Sequence, residues 1–311
     1  MLETNINIPS GDINLAGTLT FPDGEGPYPT ALLIAGSGPL DRDGNHKRMP
    51  LGVSRDLAAA LCEVGWASVR YDKRGVGKSG GDYLSTGFYD ELEDTIAALE
   101  WMLDRPTTAT AVAIGHSVGA TYAAELSASQ PALDGAALLA YTAKTGEDTL
   151  KWQAVEISAS IPRFATGLMS LFRTSVTKQQ AKALDKLKAT SDDVTRIQMQ
   201  KVNAKWMREF IAYDPKPVLA DTKAPLLAVT GSKDVQVDPD DIAIVAEVAG
   251  AEATAQVVPD VDHILRYEPA DRSNPKKYKS QLKEPIDGRV MGLLEVWLQD
   301  LISENSSVAD V

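Results

Sequence analysis

The chain has 311 residues, of which 44% are hydrophobic and 24% charged, with a formal net charge of −12 at pH 7. That length and apolar share fit one large core with a smaller embedded subdomain, not two full domains. The acidic balance is the wrong sign for a phosphate backbone, which excludes a nucleic-acid partner.

The first residues, MLETNINIPSGDI, contain neither the basic nor the apolar segment of a signal peptide. Strands are predicted over residues 6–8, 15–21 and 30–36, bounded by a Gly-Asp turn and a Pro/Gly-rich loop. Residues 50–64 have helical spacing and stop at Gly65. Within them Cys62, the only cysteine, sits in the apolar run LAAALCEVGW and reads as a buried structural thiol; alone, it excludes an intramolecular disulfide framework. There follow a strand at 67–72, a helix at 89–103, a strand at 111–115, a helix at 118–129 and a strand at 135–141. Such alternation predicts an α/β fold, a parallel sheet with helices on both faces.

From residue 144 to 222 no strand is predicted, only helical stretches such as 178–188 and 192–211. Alternation resumes with a strand at 225–231, a helix at 239–248, a strand at 254–259 and an amphipathic helix at 287–302; the tail SENSSVADV is expected to be disordered. The expected architecture is therefore a mostly parallel eight-stranded sheet built from residues 1–143 and 223–311. A helical lid, residues 144–222, is inserted after the sixth strand. No run reaches the ~18 uninterrupted apolar residues of a membrane helix, so a soluble, cytoplasmic protein without a membrane partner is expected.

Several glycine-rich motifs compete. Gly75, Gly77 and Gly80 fit the dinucleotide fingerprint G-x-G-x-x-G, but more loop follows where a helix must open. Gly77-Lys78-Ser79 matches the end of a phosphate-binding loop, yet the glycine required five residues earlier is Asp72. The run Asp41-Arg42-Asp43-Gly44-Asn45 has the start of a calcium loop, but its sixth position is His46 and its twelfth Gly52, so it reads as a turn before a helix. The pattern G-x-S-x-G occurs around Ser79 and around Ser117. Only Ser117 has a strand ending at the first glycine and a helix beginning just after the serine. That is the context of a nucleophile elbow, which lifts a hydroxyl to the positive end of a helix.

A serine nucleophile needs a base, and the chain has three histidines. His116 is inside the elbow and too constrained to reach its neighbour's hydroxyl; His46 lies far upstream. His263 follows the last strand, in the order serine, acid, histidine expected for an α/β-hydrolase. The acid is expected after the preceding strand, where Asp234 lies on the first turn; Asp238 and Asp240 read as helix caps, and Asp260 and Asp262 are too near His263 in sequence to orient its ring. The amide of Val118 is one expected oxyanion donor. The second comes from Ala35-Gly36-Ser37-Gly38-Pro39, with Ser37 first and Gly38 next.

The segments GSGPLDRDG, RYDKRGVGKSGG, GHSVG, WMREFIAYDP and GSKDVQV together resemble the EstD-like carboxylesterase subfamily of the α/β-hydrolase superfamily, related to dienelactone-hydrolase-like proteins. The resemblance runs from about residue 15 to about residue 300 and is weakest in the lid. It implies a carboxylesterase acting on short-to-medium acyl esters, with no cofactor. Ala35 stands where many hydrolases carry histidine. The lid holds Trp152, Phe164, Phe172, Trp206 and Phe210, and its Lys and Arg outnumber its Asp and Glu although the chain is acidic. Gly38, His116, Trp206 and Phe210 are the candidate contacts to a substrate with an apolar moiety. Lactonase, thioesterase and peptidase activities use the same triad, and a non-catalytic binding protein can keep the same fold.

Overall fold

A computed structural model of the chain describes residues 1–159 and 176–309. Its main sheet contains, in chain order, β1 (Leu2–Ser10), β2 (Ile13–Phe21), β3 (Tyr28–Ile34), β4 (Ala67–Tyr71), β5 (Thr108–His116), β6 (Gly135–Leu139), β7 (Leu226–Gly231) and β8 (Ala253–Val258). The spatial order of the eight strands is β1-β2-β4-β3-β5-β6-β7-β8. β1 and β2 form an antiparallel hairpin that meets β4 antiparallel, and every pairing from β4 onward is parallel.

The parallel strands are apolar on both faces because helices cover both. In β3, Ala31 and Leu33 face one core and Leu32 and Ile34 the other. The first core is closed by α1 (Val53–Glu63) and α9 (Gly288–Ala309), the second by α2 (Phe88–Leu103), α3 (Val118–Ser129) and α8 (Asp241–Val248). Helix α1 buries Val53, Leu57, Ala58 and Leu61. Cys62 falls at the edge of that stripe, so it is half-buried, with its thiol 3.2 Å from the Phe21 carbonyl, and not the fully buried thiol expected. Helix α9 continues to Ala309, through most of the tail expected to be disordered. Among the described residues no helix is long and apolar enough to cross a membrane.

The long excursion between β6 and β7 holds α4 (Gly146–Ala159), α5 (Val176–Ala189), α6 (Ala204–Ala212) and α7 (Pro215–Ala220). It is not all helical, as the sequence had implied. Residues expected to be the first half of one long helix form an antiparallel hairpin, Val194–Ile197 with Gln200–Asn203. The turn residues Gln198 and Met199 both have positive φ, the geometry of a tight hairpin turn. Asn203 then starts α6: its Oδ1 accepts from the Trp206 amide at 2.9 Å, while its Nδ2 donates to the Tyr83 and Thr86 carbonyls at 2.7 and 2.6 Å. Lys205 pairs with Asp90 at 2.7 Å. This part of the excursion is therefore bonded directly to the loop and helix that follow β4.

Candidate active site

Ser117 sits between β5 and α3, at φ 56° and ψ −125°. A non-glycine residue rarely adopts this conformation, and it persists only where surrounding structure enforces it. Here the Ser117 amide donates to the Leu139 carbonyl of β6 at 2.8 Å. The flanking glycines allow the turn to close. A Cβ on Gly115 would lie 2.1 Å from the Gly119 carbonyl, and one on Gly119 would lie 2.1 Å from the Ile34 carbonyl. Gly119→Ala is thus expected to cost about 3 kcal/mol or more, because backbone on both sides must move. Urea unfolding checks this, and a cost below ~1 kcal/mol would mean that the elbow has room to relax.

Facing Ser117 are residues from the loops after β7 and β8, at the carboxyl ends of the parallel strands where such sheets place their sites. His263 Nε2 is 3.1 Å from Ser117 Oγ, and His263 Nδ1 is 2.7 Å from Asp234 Oδ2. The other carboxylate oxygen of Asp234 accepts from the amides of Gln236 and Val237 at 2.7 and 3.0 Å. Asp234 and His263 are 4% and 5% exposed, so little water competes for these bonds. A carboxylate can only accept, so Nδ1 carries the proton and Nε2 is left to accept from the serine hydroxyl. Chemically, this line can move a proton off Ser117 as its oxygen attacks an electrophile.

The turn bearing His263 has two further supports. His116 donates from Nε2 to the His263 carbonyl at 2.7 Å. Burial, and then the adjacent His263 ring, pull His116 down to about 4, so it stays neutral at pH 7. Asp262 Oδ1 accepts from the Ile264 and Arg266 amides at 3.1 and 3.2 Å, but its Oδ2 is buried without a partner, as is Oε1 of the neighbouring Gln281. Burial pushes Asp262 up to about 6, against the opposing bond from the Arg266 amide. The folded chain therefore takes up a proton that the unfolded chain, titrating near 3.8, releases. Stability from this group is full below about pH 4 and is lost as pH rises through about 6. Asp262→Asn keeps the Oδ1 bonds and removes the buried charge. It is expected to stabilise the protein by about 1–3 kcal/mol at pH 8, with the gain shrinking toward pH 4. Urea titrations at several pH values decide this, and a gain independent of pH would rule out the charge as its cause.

Above Ser117 opens a cleft of about 470 Å³. Ser37, Gly38 and Pro39 line it from the β3 loop, Val118 from α3, and Gln236 and Val237 from the β7 loop. The excursion contributes Leu150, Val202, Trp206, Met207 and Phe210. Trp206 and Phe210 stack at 5.0 Å and also pack on Phe88, at 5.9 Å each, so they are both core and cleft wall. Lys201 is the one charged side chain among the described lining residues. Gly36 lets the β3 loop pass close to the elbow: a Cβ there would be 3.1 Å from Ser117 Cβ.

A family model described as serine aminopeptidase, S33, matches residues 50–270. The chain belongs to this family. It is 27% identical over 285 residues to esterase EstD of Thermotoga maritima, a match covering 91% of this chain and 65% of that relative's length. Among solved structures it resembles Est1E of Butyrivibrio proteoclasticus with ferulic acid bound (TM-score 0.67, 15% identity, 96% of this chain and 99% of that one). It also resembles the proline iminopeptidase of Mycobacterium smegmatis (TM-score 0.64, 15% identity, 96% and 98%). The fold is that of the α/β-hydrolases.

In this S33 chain the sequence-predicted residues divide clearly. Ser117, Asp234 and His263 meet, and Ser37, Gly38, Val118, Trp206 and Phe210 line the cleft beside them. His116 does not line this cleft; it lines a smaller cavity that also reaches Ser117, and its Nε2 bonds the carbonyl of the His263 turn. Trp152 is not among the lining residues, and Phe164 and Phe172 lie outside the described residues. Of the predicted caps, Asp238 accepts from the Asp240 amide at 3.1 Å, whereas Asp240 makes no side-chain cap. Gln236 escaped the sequence reading. It lies in the loop that carries Asp234, where no periodic pattern fixes the direction of a side chain.

The rival motif is structural. Ser79 Oγ donates to the Asp72 carbonyl at 2.6 Å and accepts from the Ala16 amide at 2.9 Å. Burial would raise Asp72, but the Arg42 guanidinium and the Lys78 and Arg42 amides hold its carboxyl below the usual range. Arg42 clamps both Asp72 oxygens, at 3.0 and 2.8 Å. Asp41 Oδ1 accepts from the Asp43 and Asn45 amides at 3.0 and 2.9 Å, which makes DRDGN a self-bonded turn. Among the described residues no group of three or more His, Cys, Asp or Glu could hold a metal ion.

Proposed function

We propose that this chain is a serine hydrolase that cleaves small-molecule carboxylic esters. Ser117 is the nucleophile, His263 the general base and acid, and Asp234 the residue that fixes the imidazole tautomer. The observation that carries this reading is the hydrogen-bonded line from Ser117 Oγ through His263 to the amide-held Asp234, on the floor of an apolar cleft. Ser117 Oγ bonds to the ester carbon while His263 Nε2 takes its proton. The Val118 amide, with that of Ser37 or Gly38, stabilises the oxyanion. The carbon–alkoxy bond then breaks, and the same proton passes from Nε2 to the departing alcohol. Water repeats the sequence on the acyl-enzyme, releasing the acid and restoring the serine hydroxyl.

Residues 1–143 and 223–311 act as the core and residues 144–222 as a lid that covers the apolar part of the substrate and displaces bulk water from it. An apolar moiety of the substrate fills the space against Trp206 and Phe210. The reading includes a cytoplasmic enzyme with no nucleic-acid or membrane partner. The family's name and the iminopeptidase neighbour raise peptide hydrolysis as a second reading. Lys201 weighs against it, since a cation at the cleft repels the α-ammonium of an aminopeptidase substrate. Turnover of p-nitrophenyl butyrate, a lactone, an acyl-CoA and proline p-nitroanilide separates the readings: the ester is expected to lead in kcat/KM. A faster anilide would overturn the esterase reading, and absence of fluorophosphonate labelling would overturn the enzyme itself.

A further inference from the structure

Two cavities meet at Ser117, and they differ in size and walls. The cleft of about 470 Å³ is bounded by the aromatic and aliphatic side chains of the excursion. A second cavity, of about 90 Å³, lies among Leu40, Leu51, Val53, Ser54, His116 and His263. Ser37, Ser117 and Gln236 line both, whereas His263 lines only the small one. Gln236 stands between them, its Nε2 donating to the Tyr278 hydroxyl at 3.2 Å.

That asymmetry orients an ester. The proton leaving Ser117 is returned by His263 Nε2 to the alkoxy oxygen, so this oxygen must lie on the imidazole side of the reacting carbon. The acyl substituent then points away from His263. We infer that the large cleft takes the acid half and the small cavity the alcohol half, which makes the substrates methyl and ethyl esters of aromatic or long apolar acids. The inference rests on the esterase reading above and specifies its substrate class.

The small cavity cannot readily expand. Val53 and Ser54 are each 3% exposed and begin α1, and Leu40 is 9% exposed. Its volume of about 90 Å³, against about 470 Å³ for the cleft, suits an alcohol of one or two carbons. Ser54, His116 and Gln236 give it polar walls, suited first to a small alcohol and then to water. The deacylating water must arrive where the alcohol left, because it too gives its proton to His263 Nε2.

A reversed-ester pair tests this. Methyl 4-phenylbutanoate and 3-phenylpropyl acetate are isomers with the same groups on opposite sides of the ester. After correction for their alkaline hydrolysis rates, the methyl ester is expected to have a kcat/KM at least about tenfold higher. Leu51→Ala should enlarge the small cavity while leaving the Leu51 carbonyl bonded to Arg266 at 3.1 Å. It is expected to raise kcat/KM for n-butyl 4-phenylbutanoate relative to the methyl ester. Equal or reversed rates for the isomers, or an unchanged butyl-to-methyl ratio in a folded Leu51→Ala variant, overturn the assignment. If p-nitrophenyl acetate is still turned over, only the acid and alcohol assignment falls. If neither isomer nor p-nitrophenyl acetate reacts and Ser117 is not labelled, the esterase reading falls and this inference with it.

Discussion

Ser117→Ala is expected to lower kcat/KM for an ester by about four to six orders of magnitude and to abolish fluorophosphonate labelling, with thermal unfolding nearly unchanged. Removing the hydroxyl takes away the attacking atom, and His263 has no other partner on that side to activate. The elbow itself survives, because alanine tolerates the same backbone as serine and the Ser117 amide still reaches Leu139. Ser117→Gly provides the comparison. It loses the same activity but relieves the strain of φ 56°, so it should be more stable than the wild type by about 1–3 kcal/mol. A serine kept in a costly conformation that glycine would relax is one retained for its hydroxyl. Turnover and labelling that survive Ser117→Ala would remove Ser117 as nucleophile, and Ser79, bonded into a turn, would have to be considered again.

Asp234→Asn should lower kcat by about four orders of magnitude at neutral pH. The asparagine Oδ1 can still accept from the Gln236 and Val237 amides, so the loop keeps its shape. Its Nδ2, however, now donates to His263 Nδ1. The imidazole then carries its proton on Nε2 and cannot accept one from Ser117. Asp262→Asn is the control. The same atoms change one residue from His263, but Asp262 bonds only the turn amides, so its activity should stay within about tenfold of wild type. If the Asp262 variant were the more damaged of the two, the acid would have been assigned to the wrong carboxylate. Steady-state kinetics on both variants, with unfolding curves to show that each is folded, decide the matter.

The local sequence determines a good deal of this molecule. A strand that ends at Gly115 and a helix that begins at Val118 leave Ser117 nowhere to sit except in a strained turn, and strand–helix alternation places Asp234 and His263 in loops at the same end of a parallel sheet. These features depend on near neighbours and on chain order, which a sequence displays directly. The hairpin at 194–203 was hidden for the opposite reason. Its turn is made by Gln198 and Met199 at φ 48° and 65°, without the Asn-Gly or Asp-Gly that usually marks such a turn. What stabilises it comes from elsewhere, through Asn203 bonded to Tyr83 and Thr86.

Only the tertiary structure could show that His116 supports a carbonyl 147 positions away in sequence. It also revealed Gln236 between two cavities and the small space on the imidazole side of Ser117. A cavity is bounded by residues from many separate segments, and its volume depends on how closely their backbones approach. Sequence spacing carries the reacting groups, because each is set by its own strand and turn; the room around them is set by packing between elements that no local pattern records.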